Sequence, residues 1–286
     1  MTAADALGYP AIQLFVERAK AVVDEFELND HNASIVSEIC RRLDGIPLAI
    51  EMAASRVNAF ALNELAAQLN NRFSILSRGR RTASQRHQTL RATLDWSYDQ
   101  LPQVEQTIFS RIAVFPGTFS LDSASTLAVN RHVNLNDVVP GIANLVEKSL
   151  TVAEVNNAGV HYRLFDSTRA YALEKLVQGG EHEEFLRRHA EYYCKLCERA
   201  ELEWETTPTA EWLATYRTEI DNFRSALDWA FSLNGDAALG IRLTVAMVPL
   251  WMQLSLIEEC CIRIERAVTV PDKTNQSTRR SPTSES

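Results

Sequence analysis

Leu150-Thr151-Val152-Ala153-Glu154-Val155 and Val160-His161-Tyr162-Arg163-Leu164-Phe165 are two short β-prone runs, separated by Asn156-Asn157-Ala158-Gly159. Such runs divided by an Asn- and Gly-rich tetrad signal a β-hairpin. Around this hairpin the sequence reads as helix. Upstream, Thr89 can cap a helix through Tyr98 that closes at Leu101-Pro102. A second helix, Val104 to Ala113, ends at Phe115-Pro116-Gly117, and shorter ones fall near Asp122 to Ala128 and Asp137 to Lys148. Downstream, Asp166 or Ser167 can cap a helix to Leu176, with Gly179-Gly180 as a hinge. Helices followed by a hairpin and a closing helix are the order of a winged helix, here expected over residues 86–178.

The residues before it read as a helical bundle, 1–80. Ile12, Phe15, Ala19, Val22 and Phe26 recur at three- and four-residue steps on one face. Ile35, Ile39, Cys40 and Leu43 mark a second helix, and Gly45 stands where a left-handed terminator is wanted. Pro47 suits the first turn of a third, where its missing N–H costs nothing. Asn63 can cap a fourth, with Leu65 and Leu69 inward. Ser77 to Gln88 holds Arg78, Arg80, Arg81, Arg86 and His87 with little that is apolar, and reads as a linker.

Beyond the hinge, residues 179–268 read as long amphipathic helices: Glu181 to Glu205, Trp212 to Phe231, Ala237 to Trp251 and Ser255 to Val268. Helix pairs of this length fit an α-solenoid. The polar tail, 269–286, is expected to be disordered. The expected fold is therefore mainly α.

Charge and composition narrow the functions. The net charge of -8 is uneven: residues 179–270 carry -7, the two preceding segments -1 each and the tail +1. The acidic segment repels phosphate backbones, and no segment is basic enough to announce nucleic acid. The longest apolar run, Val245 to Met252, is eight residues, against the roughly 20 a bilayer span needs. Neither a membrane role nor a secretory leader is expected, and five scattered cysteines fit a reducing cytoplasm. None of the ten glycines precedes a lysine, so there is no phosphate-cradling Gly-x-x-x-x-Gly-Lys loop. No Gly-x-Gly-x-x-Gly or Gly-x-Ser-x-Gly occurs either. Cys194 and Cys197 have metal-like spacing without a second pair, and core packing is the expected reading. No catalysis and no metal are expected.

Several strings carry a family resemblance. Leu43-Asp44-Gly45-Ile46-Pro47-Leu48-Ala49-Ile50-Glu51 resembles the Gly-Leu-Pro-Leu-Ala motif of NB-ARC proteins, the STAND class of signalling ATPases. Arg86-His87-Gln88-Thr89-Leu90-Arg91-Ala92-Thr93-Leu94-Asp95-Trp96-Ser97-Tyr98 is similar to the winged-helix entry of bacterial ATP-binding transcriptional regulators of that class, and Val114-Phe115-Pro116-Gly117 fits their pattern. Glu219-Ile220-Asp221-Asn222-Phe223-Arg224-Ser225-Ala226-Leu227-Asp228-Trp229-Ala230 is similar to the opening of their TPR-like region.

The resemblance implies an ARC-like lid, a winged helix and a TPR-like sensor, as a fragment lacking the phosphate-loop domain. ATP or ADP with magnesium would be held in the full-length family. Partners would be the missing nucleotide-binding domain or the full-length parent, a protein or small-molecule signal at the repeats, and DNA indirectly. Pro47 is the position that packs on adenine in the family, although starting a helix is role enough for it. The family's Met-His-Asp triplet aligns with Leu164-Phe165-Asp166, so the phosphate-binding histidine is replaced by Phe165 and only Asp166 matches. Arg86 and His87 could face phosphate from the linker. Two other functions remain open: direct DNA binding, with Asp137 to Lys148 in the major groove, and a TPR-like interaction scaffold. Against the first, that helix carries Asp137 and Glu147, one Lys148, and the amides Asn136 and Asn144.

Overall fold

A computed structural model describes residues 2–43, 45–76, 85–156 and 159–269, with the backbone alone at 70–76, 85–88 and 156. The chain forms two compact units: Met1–Phe115 with Phe119–His182, and Pro116–Thr118 with Glu183 onward.

The first unit opens with α1 (Ala3–Ala6), α2 (Pro10–Val22), α3 (Ala33–Arg42), α4 (Pro47–Ala54) and α5 (Leu62–Leu76). The apolar face of α2 buries Ile12, Phe15, Val16 and Ala19. Phe26 lies past the helix end yet still meets Phe15, ring centroids 6.2 Å apart. Gly45 takes φ +65°, and its N–H donates to the Cys40 carbonyl at 3.1 Å. This left-handed turn closes α3 and sends the chain into Pro47, the first residue of α4. Asn63 does not cap α5: the helix starts one residue earlier, and Glu64 accepts from the Ala61 N–H at 3.3 Å. Leu65 and Leu69 are buried as expected.

The winged-helix part consists of α6 (Gln85–Asp99), α7 (Gln103–Arg111) running into a 3-10 turn at Ile112–Val114, α8 (Leu121–Ala128), α9 (Leu135–Glu147), β1 (Val152–Asn156), β2 (Gly159–Arg163) and α10 (Asp166–Gln178). The strands pair antiparallel from Val152↔Arg163 to Asn156↔Gly159. Phe119 adds a bridge to Tyr162, with backbone hydrogen bonds of 2.8 Å in both directions. Two expectations are corrected here. The helix placed at Thr89 begins at Gln85, because Gln and Arg are adequate helix formers and nothing breaks the turn before Thr89. Thr89 is interior, its carbonyl accepting from Thr93 Oγ1 at 2.9 Å. Arg86 and His87 are thus helical rather than linker, while residues 77–84 lie outside the described residues. Asp166 is the first helical residue, not the cap; Phe165 holds the cap position with φ -64° and ψ 151°. Its carboxylate still suits the positive end of the helix dipole.

Trp96 of α6 inserts into the bundle core. Its Nε1 donates to Gln68 Oε1 at 2.9 Å, and the Arg56 guanidinium lies 5.7 Å over its ring. The opposite side of α6 faces α10. Arg91 donates to both oxygens of Glu174, at 2.6 and 2.7 Å, and Tyr171 OH donates to Asp95 at 2.8 Å.

The second unit is helical: α11 (His182–Glu203), α12 (Thr209–Tyr216) with a 3-10 turn at Arg217–Glu219, α13 (Ile220–Ala230), α14 (Ala237–Ala246), α15 (Val248–Gln253) and α16 (Ile257–Thr269). Two helices expected as continuous are broken. Trp212 to Phe231 is interrupted by the 3-10 turn, and Ala237 to Trp251 stops at Met247, because Pro249 has no N–H to continue the ladder and is tolerated only in a first turn. Asp236 caps α14, accepting from the Ala238 and Leu239 N–H groups. Residues 270–286, expected as a disordered tail, lie outside the described residues.

Candidate functional site

In a helix-turn-helix the second helix of the pair, here α9 after α8, would approach DNA. An Asn134/Asp137 capping box starts α9. Its inner face buries Val138, Gly141, Ile142 and Leu145. The packing is close: a β-carbon on Gly141 would sit 2.7 Å from Ile108 of α7. The outer face presents Leu135 (60% exposed) and Val139 (49%), with Asn136, Pro140, Ala143 and Glu147. No lysine or arginine lies on that face. Two of the polar groups available for base reading are turned the other way: Asn144 Nδ2 and Lys148 Nζ donate to Glu105 of α7 at 2.8 and 2.7 Å. Arg131 and His132, in the turn before α9, are exposed. The hairpin exposes Val155 (82%) and Val160 (44%), and its charged pair, Arg163 with Glu154, is mutual.

α10 locks the domain from behind. Arg169 Nε donates to the carbonyls of Ala113 (3.0 Å) and Phe115 (2.9 Å), fixing the end of the 3-10 turn. Burial, then the hydrogen bond to Asp95, pushes the Tyr171 phenol far above its ordinary range, so it acts as a fixed donor. Lys175 Nζ sits 4.8 Å over Tyr98 and 5.1 Å over Tyr171. Arg111, 1% exposed, donates to Glu181 through Nε (3.0 Å) and Nη2 (2.6 Å) and to the Ala128 carbonyl (2.7 Å). Sequence reading passed over Arg111, since a single arginine ending a helix looks solvated.

The residues singled out from sequence stand apart. Pro47 is exposed at the start of α4 and Asp166 at the start of α10. Among the described residues no hydrogen bond or ion pair joins them. Phe165 lies under the Arg163 guanidinium, 5.0 Å from its ring centre. The side chains of Arg86 and His87 lie outside the described residues. Cys194 and Cys197 are buried, and burial raises both thiols, Cys194 to about 11. Among the described residues no group of His, Cys, Asp and Glu is arranged to hold a metal, and no helix is long and apolar enough to cross a membrane.

Comparison with known proteins agrees with this geometry. Residues 101–177 match a family model described as a winged helix-turn-helix domain. A Mycobacterium tuberculosis protein named as an HTH-type transcriptional regulator is 40% identical over 250 residues, 87% of this chain and 28% of its own length. A Mycobacterium bovis protein with the same kind of name matches to the same extent. An uncharacterized Mycobacterium tuberculosis protein is 42% identical over 183 residues, 64% of this chain and 47% of its own length. The chain thus spans less than half the length of these relatives, and what fold and match together define is a winged-helix domain in a mainly helical chain.

Proposed function

We propose that this chain is the regulatory portion of a longer STAND-class, ATP-binding transcriptional regulator. In this reading residues 1–80 are an NB-ARC-type lid, 86–178 a winged helix that transmits, and 179–268 a TPR-like sensor for a protein or small-molecule signal. The homology to proteins named as transcriptional regulators supports the general role. The outer face of α9 carries the finer reading. Base reading in the major groove draws on Arg, Lys, Asn and Gln, and this face offers Asn136 among apolar groups and Glu147. Such a helix suits packing against protein better than packing against phosphate, so DNA would be engaged elsewhere in the full-length regulator.

The nucleotide would likewise be held elsewhere. Pro47 offers an exposed apolar ring beside the free N–H groups of a helix start, which fits the face of a base. Neither matching position fits the phosphates: the sequence has no Gly-Lys loop, Phe165 has no side-chain donor, and the exposed Asp166 carboxylate repels them. ATP with magnesium would supply the difference in binding between two arrangements of the longer protein, and this chain would hold the arrangements. The test is fluorescence anisotropy of duplex DNA with the purified chain at low and physiological salt. The expected result is weak, salt-sensitive binding without sequence preference. Tight, sequence-specific binding at physiological salt would favour a direct DNA reader instead.

A further inference from the structure

Within the helical unit, α16 is fastened along one side. Arg224 of α13 donates to both oxygens of Glu259, through Nε at 2.9 Å and Nη2 at 2.6 Å. Arg263 pairs with Asp228 of α13, Arg266 donates to the Phe231 carbonyl at 3.2 Å, and Cys260 is buried. An adjoining face of the helix is bare. Ile257, Cys261, Ile264 and Val268 are all exposed, and their steps of four, three and four residues set them in one line about 16 Å long. That spacing is the seam rhythm of a coiled coil, with Ile257 and Ile264 at one seam position and Cys261 and Val268 at the other. Single apolar residues are ordinary on a surface, whereas a continuous line of them marks a place that is covered. The two flanks of the line differ. On one stand Cys260 and the half-buried Ala267, turned toward the unit itself. On the other stand Glu258 and Glu265, both exposed, and among the described residues neither takes part in an ion pair.

We infer that this seam docks an amphipathic helix of a partner protein, one that carries Lys or Arg beside its apolar face. Charge decides between the occupants. In an antiparallel pair of two copies, the Glu258 and Glu265 flank meets the same flank of the copy, and like charges repel. A parallel pair needs the Cys260 and Ala267 flank, which the unit itself occupies. Residues 271–286 contain no Ala, Val, Leu, Ile, Met or aromatic residue, so that tail has nothing to lay in the seam. A helix with a basic flank meets both needs: its apolar residues cover the line, and its cations face the two free carboxylates. The acidic balance of residues 179–270 adds a longer-range attraction for it. This names the chemistry of the protein signal in the sensor reading and rests on that reading for its purpose. Docking is measured without any signalling readout, so the two can fail separately.

The probes are two synthetic heptad-repeat peptides with leucine seams, one flanked by lysine and the other by glutamate; like charges keep each from pairing with itself. Thiol labelling of Cys261 in the whole native chain reads the occupancy of the seam. With the lysine peptide at about ten times its Kd, labelling should slow about tenfold, in line with the fraction left free, while the glutamate peptide leaves the rate unchanged. Glu258→Lys together with Glu265→Lys should interchange the two results, and Ile264→Lys should abolish protection by either. All three substituted side chains are exposed, so the fold tolerates them. If neither peptide protects Cys261, if both protect it alike, or if the double reversal leaves the preference where it was, the inference falls. Light scattering covers the other occupant: a dimer that Ile264→Lys dissociates places a second copy on the seam and overturns the inference as well.

Discussion

The two units use their arginines differently. In the first, several guanidinium groups reach across the fold to backbone carbonyls at the ends of elements, Arg111 to Ala128, Arg169 to Ala113 and Phe115, and Arg42 to Ala66, alongside ion pairs such as Arg91 with Glu174. In the second they pair chiefly with carboxylates, Arg224 with Glu259, Arg242 with Glu198 and Arg263 with Asp228, although Arg266 also donates to the Phe231 carbonyl. A winged helix has irregular connections whose carbonyls need donors, and long-range cations supply them. Consecutive helices satisfy most of their own backbone, so their cations go largely to carboxylates, and where such pairs are exposed they contribute little. The first unit should accordingly be sensitive to single arginine changes and the second tolerant of them.

That contrast can be broken by substitution. Trp96→Ala should cost about 3–5 kcal/mol, because a fully buried aromatic leaves a cavity. Arg111→Ala removes a guanidinium only 1% exposed and leaves the Ala128 carbonyl without that donor, while Glu181, 31% exposed, turns to water. An unsatisfied buried acceptor costs about 1–3 kcal/mol, which chemical denaturation would show as a drop in the unfolding midpoint. Arg224→Ala, on a guanidinium about one-third exposed, should cost no more than about 1 kcal/mol. If Arg224→Ala proved as damaging as Arg111→Ala, the distinction between the units would be lost.

Acid sharpens the same contrast at smaller scale. The Arg224 guanidinium, hydrogen-bonded to Glu259, holds that carboxyl below the usual glutamate range. A group whose pKa is lower when folded stabilises above its unfolded value, about 4.3, and loses that contribution as pH falls through the folded one. Wild type and Arg224→Ala should therefore differ slightly near neutrality and converge as pH falls through the lowered folded-state value. The smallest effect is thiol labelling. Cys261 is exposed, and Cys40, Cys194, Cys197 and Cys260 are buried; burial pushes the Cys40 thiol up to about 12. One equivalent of label should enter the native chain quickly and the rest only on unfolding; rapid entry of more than one would show looser helices than described.

How much of this was legible in sequence differs by element. Gly45-Ile46-Pro47 announced a helix end and a helix start because each residue's backbone restriction is local, and the structure uses both that way. The hairpin was equally local. The start of α6 was misread, because polarity at 85–88 resembles a linker when no apolar face is visible, yet helix needs only unbroken backbone. The break at Met247 follows from Pro249, which has no N–H to continue the ladder; apolar periodicity alone reveals neither it nor the 3-10 turn at Arg217–Glu219. Within the candidate site, the lack of cations on the outer face of α9 was readable from composition. The turning of Asn144 and Lys148 toward Glu105 was not, since it depends on how α7 and α9 approach around Gly141.

We propose that this chain acts through a nucleotide gripped on another surface. Isothermal titration calorimetry of the purified chain with MgATP and MgADP tests it directly. The expected result is no saturable heat at concentrations up to about 1 mM, where a binding free energy of about 4 kcal/mol would already register. Stoichiometric uptake at micromolar concentration would contradict the claim outright.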